Sequence, residues 1–393
     1  MYEYFVGIDV GGTYAGVAVL EVELSETRQA MAQQFIHVTT DQVWTFIDPS
    51  VGKIGALDLR PAFGKILLMN QQEWASPQSD PVIVNHVVEC HSGQTDLRSG
   101  AMLISEVIAR LWAIALEKIP RARDGEAKVH AVITHPVTWM PDTLQRFKEA
   151  IALSKIGQDT SSVLLLSESH AATRAVTVDF QEKLHESAAP IVVADCGGFT
   201  IDTALYEPEK LLVSGARTRF YGMLSLNLRY YTAIQDVLQS HAATTGRNAE
   251  ANAVTATEIL AMLQWEYRGG KWAFRPDVRQ SAGPWFPTPD GQPVQVHRDV
   301  LLKAYKDLAG KIVEMIMIYF SPESVSNSSK PKEVYFTGGL CVFTQLLPVV
   351  QNELTTLLGE DAPTLVLGDR DNMLSAVCRG AALHAAFPLA EAW

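Results

Sequence analysis

The chain has 393 residues, 47% of them hydrophobic, which is enough for two or three domains with buried cores. Asp and Glu number 44 against 32 Lys and Arg, so the formal net charge is -12. No basic stripe occurs along the sequence. The composition therefore excludes the phosphate-neutralising surface of a nucleic-acid-binding protein.

The cysteines and the N-terminus favour a reducing, cytoplasmic compartment. Four cysteines lie far apart without CxxC spacing, which is typical of a reducing environment: Cys90, Cys196, Cys341 and Cys378. The N-terminus lacks the cationic and apolar regions of a signal peptide, and no apolar run reaches about 18 residues. We therefore expect a cytoplasmic protein without a membrane partner.

The first half of the chain predicts alternating strands and helices. Residues 6–22 predict two strands joined by a turn at Gly11 and Gly12. Apolar periodicity predicts a helix over 99–119 that Pro120 stops. A strand at 129–134, a helix at about 142–153 and a strand at 163–166 follow.

The second half repeats the glycine turn of the first. After a polar linker at about 181–189, residues 193–200 read Val-Ala-Asp-Cys-Gly-Gly-Phe-Thr, while residues 6–13 read Val-Gly-Ile-Asp-Val-Gly-Gly-Thr. Each copy places an Asp two residues before a Gly-Gly pair, which indicates an internal duplication and two lobes. A loop or exposed subdomain rich in Gly, Pro and Trp is predicted near 265–295. The remaining predicted elements are a helix at 301–320, a strand at 333–336 and a helix at 375–387. The fold class is α/β.

Glycine-rich turns between strands have a chemical use. Their consecutive backbone N–H groups can bind phosphate oxygens without a charged side chain. Asp9, at the end of a strand beside such a turn, is placed to hold a cation through water. The same pattern also occurs where an Asp simply caps a hairpin turn.

Five motifs occur in a fixed order: Gly-Ile-Asp-Val-Gly-Gly-Thr-Tyr at 7–14, Ser-Glu-Ser-His-Ala-Ala at 167–172, Asp-Cys-Gly-Gly-Phe-Thr-Ile-Asp at 195–202, Gly-Gly at 338–339 and Ala-Val-Cys-Arg-Gly-Ala-Ala at 376–382. Their order and spacing resemble the actin-like ATPase superfamily. The likeness is greatest to the nucleotide-binding domain of the heat shock protein 70 family, in its divergent eukaryotic and fungal branch. The resemblance implies duplicated ribonuclease-H-like lobes around a cleft, with lobe I at 1–187 plus 366–393 and lobe II at 188–365.

The resemblance also implies roles for individual residues. The first phosphate loop would contain Gly11, Gly12 and Thr13, the second Gly197, Gly198 and Thr200, and the adenosine loop Gly338 and Gly339. Asp9 and Asp195 would hold magnesium through water, and Glu168 would lie near the attacking water. Asp202, at the end of the 195–202 motif, would belong to the cofactor-binding residues. His135 falls in the strand-to-helix turn, and Lys65 faintly resembles the family's catalytic lysine.

Departures from the family pattern matter equally. Phe199 replaces a glycine of the second phosphate loop, where a side chain costs volume or backbone strain. Leu340, Cys341 and Val342 replace a hydroxyl residue and an arginine of the adenosine loop. Residues 222–226 replace an acidic segment. Because the sequence ends just past the helix containing Ala381, we expect no peptide-binding domain or lid.

Three functions are compatible with these residues. The first is a pseudo-ATPase that needs no cofactor and transforms a small, largely apolar molecule in the cleft, by dehydration, cyclisation or isomerisation. Its acid/base residues would be Glu168 foremost, with Asp9, Asp195 and His135. The apolar Phe199, Leu340 and Val342 would raise the pKa values of the carboxyl groups. The second is an Mg-ATP-binding, slowly hydrolysing regulatory module of the chaperone kind. The third is a non-catalytic scaffold that binds a protein partner through the aromatic segment 265–286.

Overall fold

The computed structural model describes residues 2–12, 15–25, 30–41, 65, 68, 69, 73, 80, 81, 83, 84, 100–119, 127–158, 160–186, 189–210, 212–245, 285–287, 293–295, 298–321, 330–342, 346–388 and 390–391. The predicted aromatic segment therefore lies almost entirely outside the described residues, as does Thr13 of the first glycine turn. In the described ranges, no helix has the length and apolar character needed to cross a membrane.

The first half of the chain forms a five-stranded mixed sheet with helices. The elements are β1 (Tyr2–Val10), β2 (Ala15–Leu24), β3 (Ala30–Asp41), α1 (Gly100–Lys118), β4 (Lys128–His135), α2 (Pro141–Leu153), β5 (Ser162–Ser167), α3 (Glu168–Asp179) and α4 (Gln181–Glu186). Their strand order is β3-β2-β1-β4-β5. The predicted hairpin, helices and strands of this half are confirmed, but the predicted linker at 181–189 is wrong, because α4 occupies most of it.

The second half forms a six-stranded sheet. The elements are β6 (Ile191–Cys196), β7 (Ile201–Glu207), β8 (Leu212–Arg219), α5 (Met223–Thr245), β9 (Trp285–Pro287), β10 (Pro293–Gln295), α6 (Arg298–Met317), β11 (Glu333–Thr337), α7 (Leu346–Leu358), β12 (Thr364–Leu367), α8 (Arg370–Leu374), α9 (Ala376–Ala386) and β13 (Ala390–Glu391). The strand order is β12-β11-β6-β7-β8-β13, and β9 with β10 forms a separate two-stranded sheet.

The two large sheets have the same internal topology. In the first, β1, β2 and β3 are antiparallel neighbours, and β4 and β5 extend the sheet in parallel from β1. In the second, β6, β7 and β8 are antiparallel, and β11 and β12 extend it in parallel from β6. The duplication that the two glycine turns predict is therefore present in the strand order.

Helix α9 packs on the first sheet because two glycines let backbone approach backbone. An added Cβ at Gly7 of β1 would lie 2.0 Å from the carbonyl oxygen of Cys378, and one at Gly380 would lie 1.7 Å from that of Ala171 in α3. The predicted lobe boundary at 366 differs from the strand topology, because β12 spans it within the second sheet. The chain end also returns to that sheet, where β13 pairs with β8.

Candidate functional site

Five ionisable side chains meet where the two sheets face each other. Asp9 and Asp195 lie near the carboxyl ends of β1 and β6, Glu168 follows β5, and Asp202 begins β7, which runs antiparallel to β6. We call the set of Asp9, Lys65, Glu168, Asp195 and Asp202 the ionisable cluster. All its members except Asp9 are buried, and Asp9 is partly exposed.

Lys65 and Glu168 form a buried ion pair within the cluster. The Lys65 ammonium donates to Oε1 of Glu168, and their side chains are 2% and 4% exposed. Thr200 Oγ1 donates to the other carboxylate oxygen at 3.5 Å. Burial lowers the pKa of Lys65, but the negative charges of Glu168 and Asp9 outweigh burial and raise it above its ordinary value. The faint sequence likeness at Lys65 thus marks a residue in the centre of the site.

Asp9 and Asp195 have carboxyl groups that titrate near neutrality. Burial raises the pKa of Asp9 to about 7, opposed by Lys65 and reinforced by Glu168. Burial likewise raises the pKa of Asp195 to about 7, with further contributions from Asp9 and Glu168. Each accepts one hydroxyl hydrogen bond, from Thr134 to Asp9 at 3.2 Å and from Thr337 to Asp195 at 2.9 Å.

Asp202 completes the acidic side of the cluster. Burial raises its pKa, and the nearby Glu168 charge adds to the effect. The hydroxyl of Thr218 donates to its carboxyl group. Four carboxyl groups thus face one lysine, so the cluster favours either bound protons or a cation. No group of three or more His, Cys, Asp or Glu side chains in the described ranges could coordinate a metal directly.

The two glycine turns touch each other at Phe199. An added Cβ at Gly12 would lie 2.3 Å from the Cβ of Phe199, so the turns are in direct contact there. The Phe199 side chain is 3% exposed, and its ring lies 5.4 Å from that of Phe220 in a cluster with first-sheet residues. The residue that departs from the family pattern therefore fills the junction between the turns.

The second turn is held in place by helix α5. Gly197 donates to the carbonyl of Thr200 at 2.9 Å, which closes the turn. The carbonyls of Gly197 and Gly198 accept from the amides of Met223 and Leu224 at 3.2 and 2.8 Å. Amides in the first turn of α5, which could otherwise face an anion, are thus partly occupied by the turn itself.

The predicted adenosine loop has a different character from the sequence expectation. Gly338 has φ +88°, and an added Cβ would lie 2.5 Å from Oδ1 of Asp195, so glycine is required there. Gly339 begins a short 3₁₀ turn that contains Leu340. Leu340 is fully buried in the core of the second sheet, so its side chain does not line an open pocket. The Val342 side chain lies outside the described residues.

His135 lies near the cluster, because the charges of Glu168 and Lys65 both act on it, while His170 lies further along the chain in α3. His135 contacts the carbonyl of Pro136 through Nδ1 at 2.9 Å, and burial lowers its pKa despite the nearby Glu168 charge. The imidazole is therefore mainly neutral at pH 7. His170 lies in α3, where Nδ1 contacts Ser167 Oγ at 2.9 Å and burial again lowers the pKa.

Sequence reasoning missed the threonines that position the acids. Thr134, Thr218 and Thr337 each occur near the end of a strand and donate to one carboxyl group of the cluster. A hydroxyl residue at the end of an apolar strand was the available signal, because a buried hydroxyl needs a hydrogen-bond partner.

No protein-family model matches the chain, and a search of curated proteins gives no significant match. The site geometry, the duplicated topology and the motif resemblance therefore carry the functional argument.

Proposed function

We propose that the protein is a pseudo-ATPase of the actin-like, heat shock protein 70-related type, whose cleft transforms a small molecule by acid/base chemistry. The contact between Gly12 and Phe199 carries this proposal. In the related ATPases, the two glycine turns would have to separate around phosphate groups. A phenylalanine buried at their junction opposes that separation.

The acid/base part of the proposal is supported by Asp9 and Asp195. Because both pKa values are about 7, each carboxyl group can donate or accept a proton at neutral pH. The sequence favours Glu168 as the general acid. The Glu168 carboxyl group is instead held in a buried ion pair with Lys65 and a hydrogen bond from Thr200, so we assign proton donation to Asp9 or Asp195.

The cluster also restricts the substrate. An anionic group would face an excess of carboxylates, so we propose that the reacting part is a neutral carbonyl or hydroxyl group. Dehydration, cyclisation and isomerisation are reactions in which such groups exchange protons without a redox cofactor. The rest of the molecule is proposed to be apolar, although Phe199 and Leu340 belong to the cores rather than to an open wall.

The second candidate is an Mg-ATP-binding, slowly hydrolysing regulatory module. The buried pair of Lys65 and Glu168 and the excess of carboxyl groups favour it, because a divalent cation would offset that charge. Asp9 and Asp195 would hold the magnesium ion through water. The ion would supply charge neutralisation for the phosphate groups, and Phe199 is the residue that does not fit those groups.

Calorimetric titration with Mg-ATP and Mg-ADP distinguishes the two candidates. We expect the wild type to bind more weakly than about 10 µM, which corresponds to about 7 kcal/mol. Phe199→Gly is expected to bind at least about tenfold more tightly, because the turns can then separate. Phe199→Leu keeps an apolar side chain at the junction and serves as the matched control, with no gain expected. Tighter wild-type binding would favour the second candidate, and an unchanged Gly variant would refute the steric argument.

The pKa of Asp195 predicts a pH-dependent stability. Because its folded-state value of about 7 exceeds the ordinary 3.8, its stabilising contribution is complete below about pH 4 and is lost as pH rises to 7. Asp195→Asn stays neutral and avoids this loss. We expect the variant to gain stability over the wild type between pH 4 and 8, by up to about 4 kcal/mol.

Urea unfolding at several pH values in metal-free buffer measures this difference. Asp361→Asn is the control, because that side chain is 62% exposed and the variant should follow the wild type at every pH. A difference between Asp195→Asn and the wild type that does not vary with pH would contradict the assigned titration.

A further inference from the structure

A second concave site lies at the opposite end of the first sheet from the ionisable cluster. It is a cavity of about 420 Å³ lined by Glu3, Phe5, Val22, Leu24, His130, Leu164, Ala385, Ala386 and Phe387. Glu3 lies six residues before Asp9 on β1, which places the cavity about 20 Å from the cluster. Its volume falls within the range of small-molecule sites.

Strand register and the end of a helix create this cavity. Glu3 pairs with Val22 across β1 and β2, so the two side chains share one sheet face with Phe5 and Leu24. Helix α9 covers that face further along and ends at Ala386. The uncovered remainder is lined by apolar side chains together with Glu3 and His130, and Leu164 at its rim is 49% exposed.

The Glu3 carboxylate and the His130 imidazole stand at the polar side of the cavity. Oε2 of Glu3 is 3.6 Å from Nε2 of His130, and Oε1 of Glu3 is 3.8 Å from the Lys128 ammonium, so both distances exceed an ordinary hydrogen bond. His130 stacks on Phe5 at 5.0 Å and contacts Ser162 Oγ through Nδ1 at 2.8 Å. Nε2 of His130 is buried and has no hydrogen-bond partner within the described residues, which leaves the Glu3 carboxylate as the acceptor that a ligand can reach.

We propose that this cavity binds a small amphipathic amine. The ammonium group donates to the Glu3 carboxylate, whose contacts with His130 and Lys128 are both longer than an ordinary hydrogen bond. The apolar or aromatic body of the ligand packs on the wall formed by the sheet face and the end of α9. A carboxylate ligand is rejected because it would face Glu3, whereas Lys128 is 46% exposed and does not line the cavity. This site is independent of the chemistry proposed for the cleft.

Calorimetry with 2-phenylethylamine at pH 8 and low salt tests the proposal. We expect saturable binding with Kd below about 1 mM. The neutral isostere 2-phenylethanol, the anion phenylacetate and methylamine, which has no ring, are each expected to bind at least about tenfold more weakly. The proposal is overturned if the amine does not bind at about 10 mM, or if phenylacetate binds as tightly as the amine.

Variants locate the binding. Glu3→Gln removes the charge with little change in shape, and Leu164→Lys places a cation at an exposed rim position without disturbing the core. Each is expected to weaken amine binding at least about tenfold. Glu23→Gln is the matched control, because Glu23 lies on β2, accepts from the Tyr2 hydroxyl and does not line the cavity. If Leu164→Lys and Glu3→Gln both bind the amine with an affinity within about twofold of wild type, the ligand lies elsewhere and the assignment is overturned.

Discussion

Replacing Lys65 by methionine is expected to destabilise the protein by about 3–5 kcal/mol. The substitution keeps a long apolar side chain but leaves the Glu168 carboxylate buried without its cation. The Thr200 hydroxyl, at 3.5 Å, remains as a hydrogen-bond donor to that carboxylate, and the carboxyl groups of Asp9, Asp195 and Asp202 lie nearby. The loss therefore reflects an uncompensated buried charge rather than a cavity.

Chemical denaturation of three variants separates this explanation from a packing defect. The double variant Lys65→Met with Glu168→Gln removes both charges and should recover much of the lost stability. Lys330→Met is the control, because Lys330 pairs with Asp361 at the surface and both are more than half exposed. We expect that variant to lose less than about 1 kcal/mol. Equal losses in Lys65→Met and the double variant would contradict the ion-pair explanation.

The strands and glycine turns of the fold could be predicted from sequence. Their apolar runs are short and end at Gly-Gly pairs, so local periodicity determines them, as at residues 6–22 and 193–200. The order of the motifs also predicts that Asp9, Glu168 and Asp195 lie at one site. The structure supports that placement through the mutual electrostatic effects of these carboxyl groups on the two pKa values near 7.

Contacts between distant segments could not be predicted in the same way. Lys65 and Glu168 are 103 residues apart, and the faint local motif at Lys65 carries no information about its partner. The same applies to Asp80, which is fully buried and forms an ion pair with Arg229 of α5 across 149 residues. The direction of a side chain could not be predicted either. Leu340 follows a glycine loop in sequence, yet its side chain enters the core of the second sheet.

The pairing of helices α3 and α9 links the fold to the site. Helix α3 begins with Glu168, and α9 lies against it with Ala381 and Ala172 fully buried. Arg379 of α9 holds Asp179 at the other end of α3 through two hydrogen bonds of 2.9 and 2.6 Å. A displacement of α9 is therefore transmitted to the helix that presents the cluster's glutamate.

Gly380→Ala is expected to destabilise the protein by about 3 kcal/mol or more, the upper part of the range for overpacking a core. In an ordinary helix interior the same change stabilises by up to about 1 kcal/mol. Here the new Cβ would lie 1.7 Å from the carbonyl oxygen of Ala171 and 2.6 Å from its carbonyl carbon. Because those are backbone atoms, the helices themselves must move apart.

Thermal and urea unfolding measure this effect, with Gly157→Ala as the matched control because an added Cβ there has no neighbour within 4 Å. The control should change stability by less than about 1 kcal/mol. The displacement in Gly380→Ala should also shift α3 and disturb the pair of Glu168 with Lys65. Adding Lys65→Met to Gly380→Ala should therefore cost less than the sum of the two single losses. A neutral or stabilising Gly380→Ala would show that α9 does not pack against α3 at this position, and the transmission from α9 to the ionisable cluster would be refuted with it.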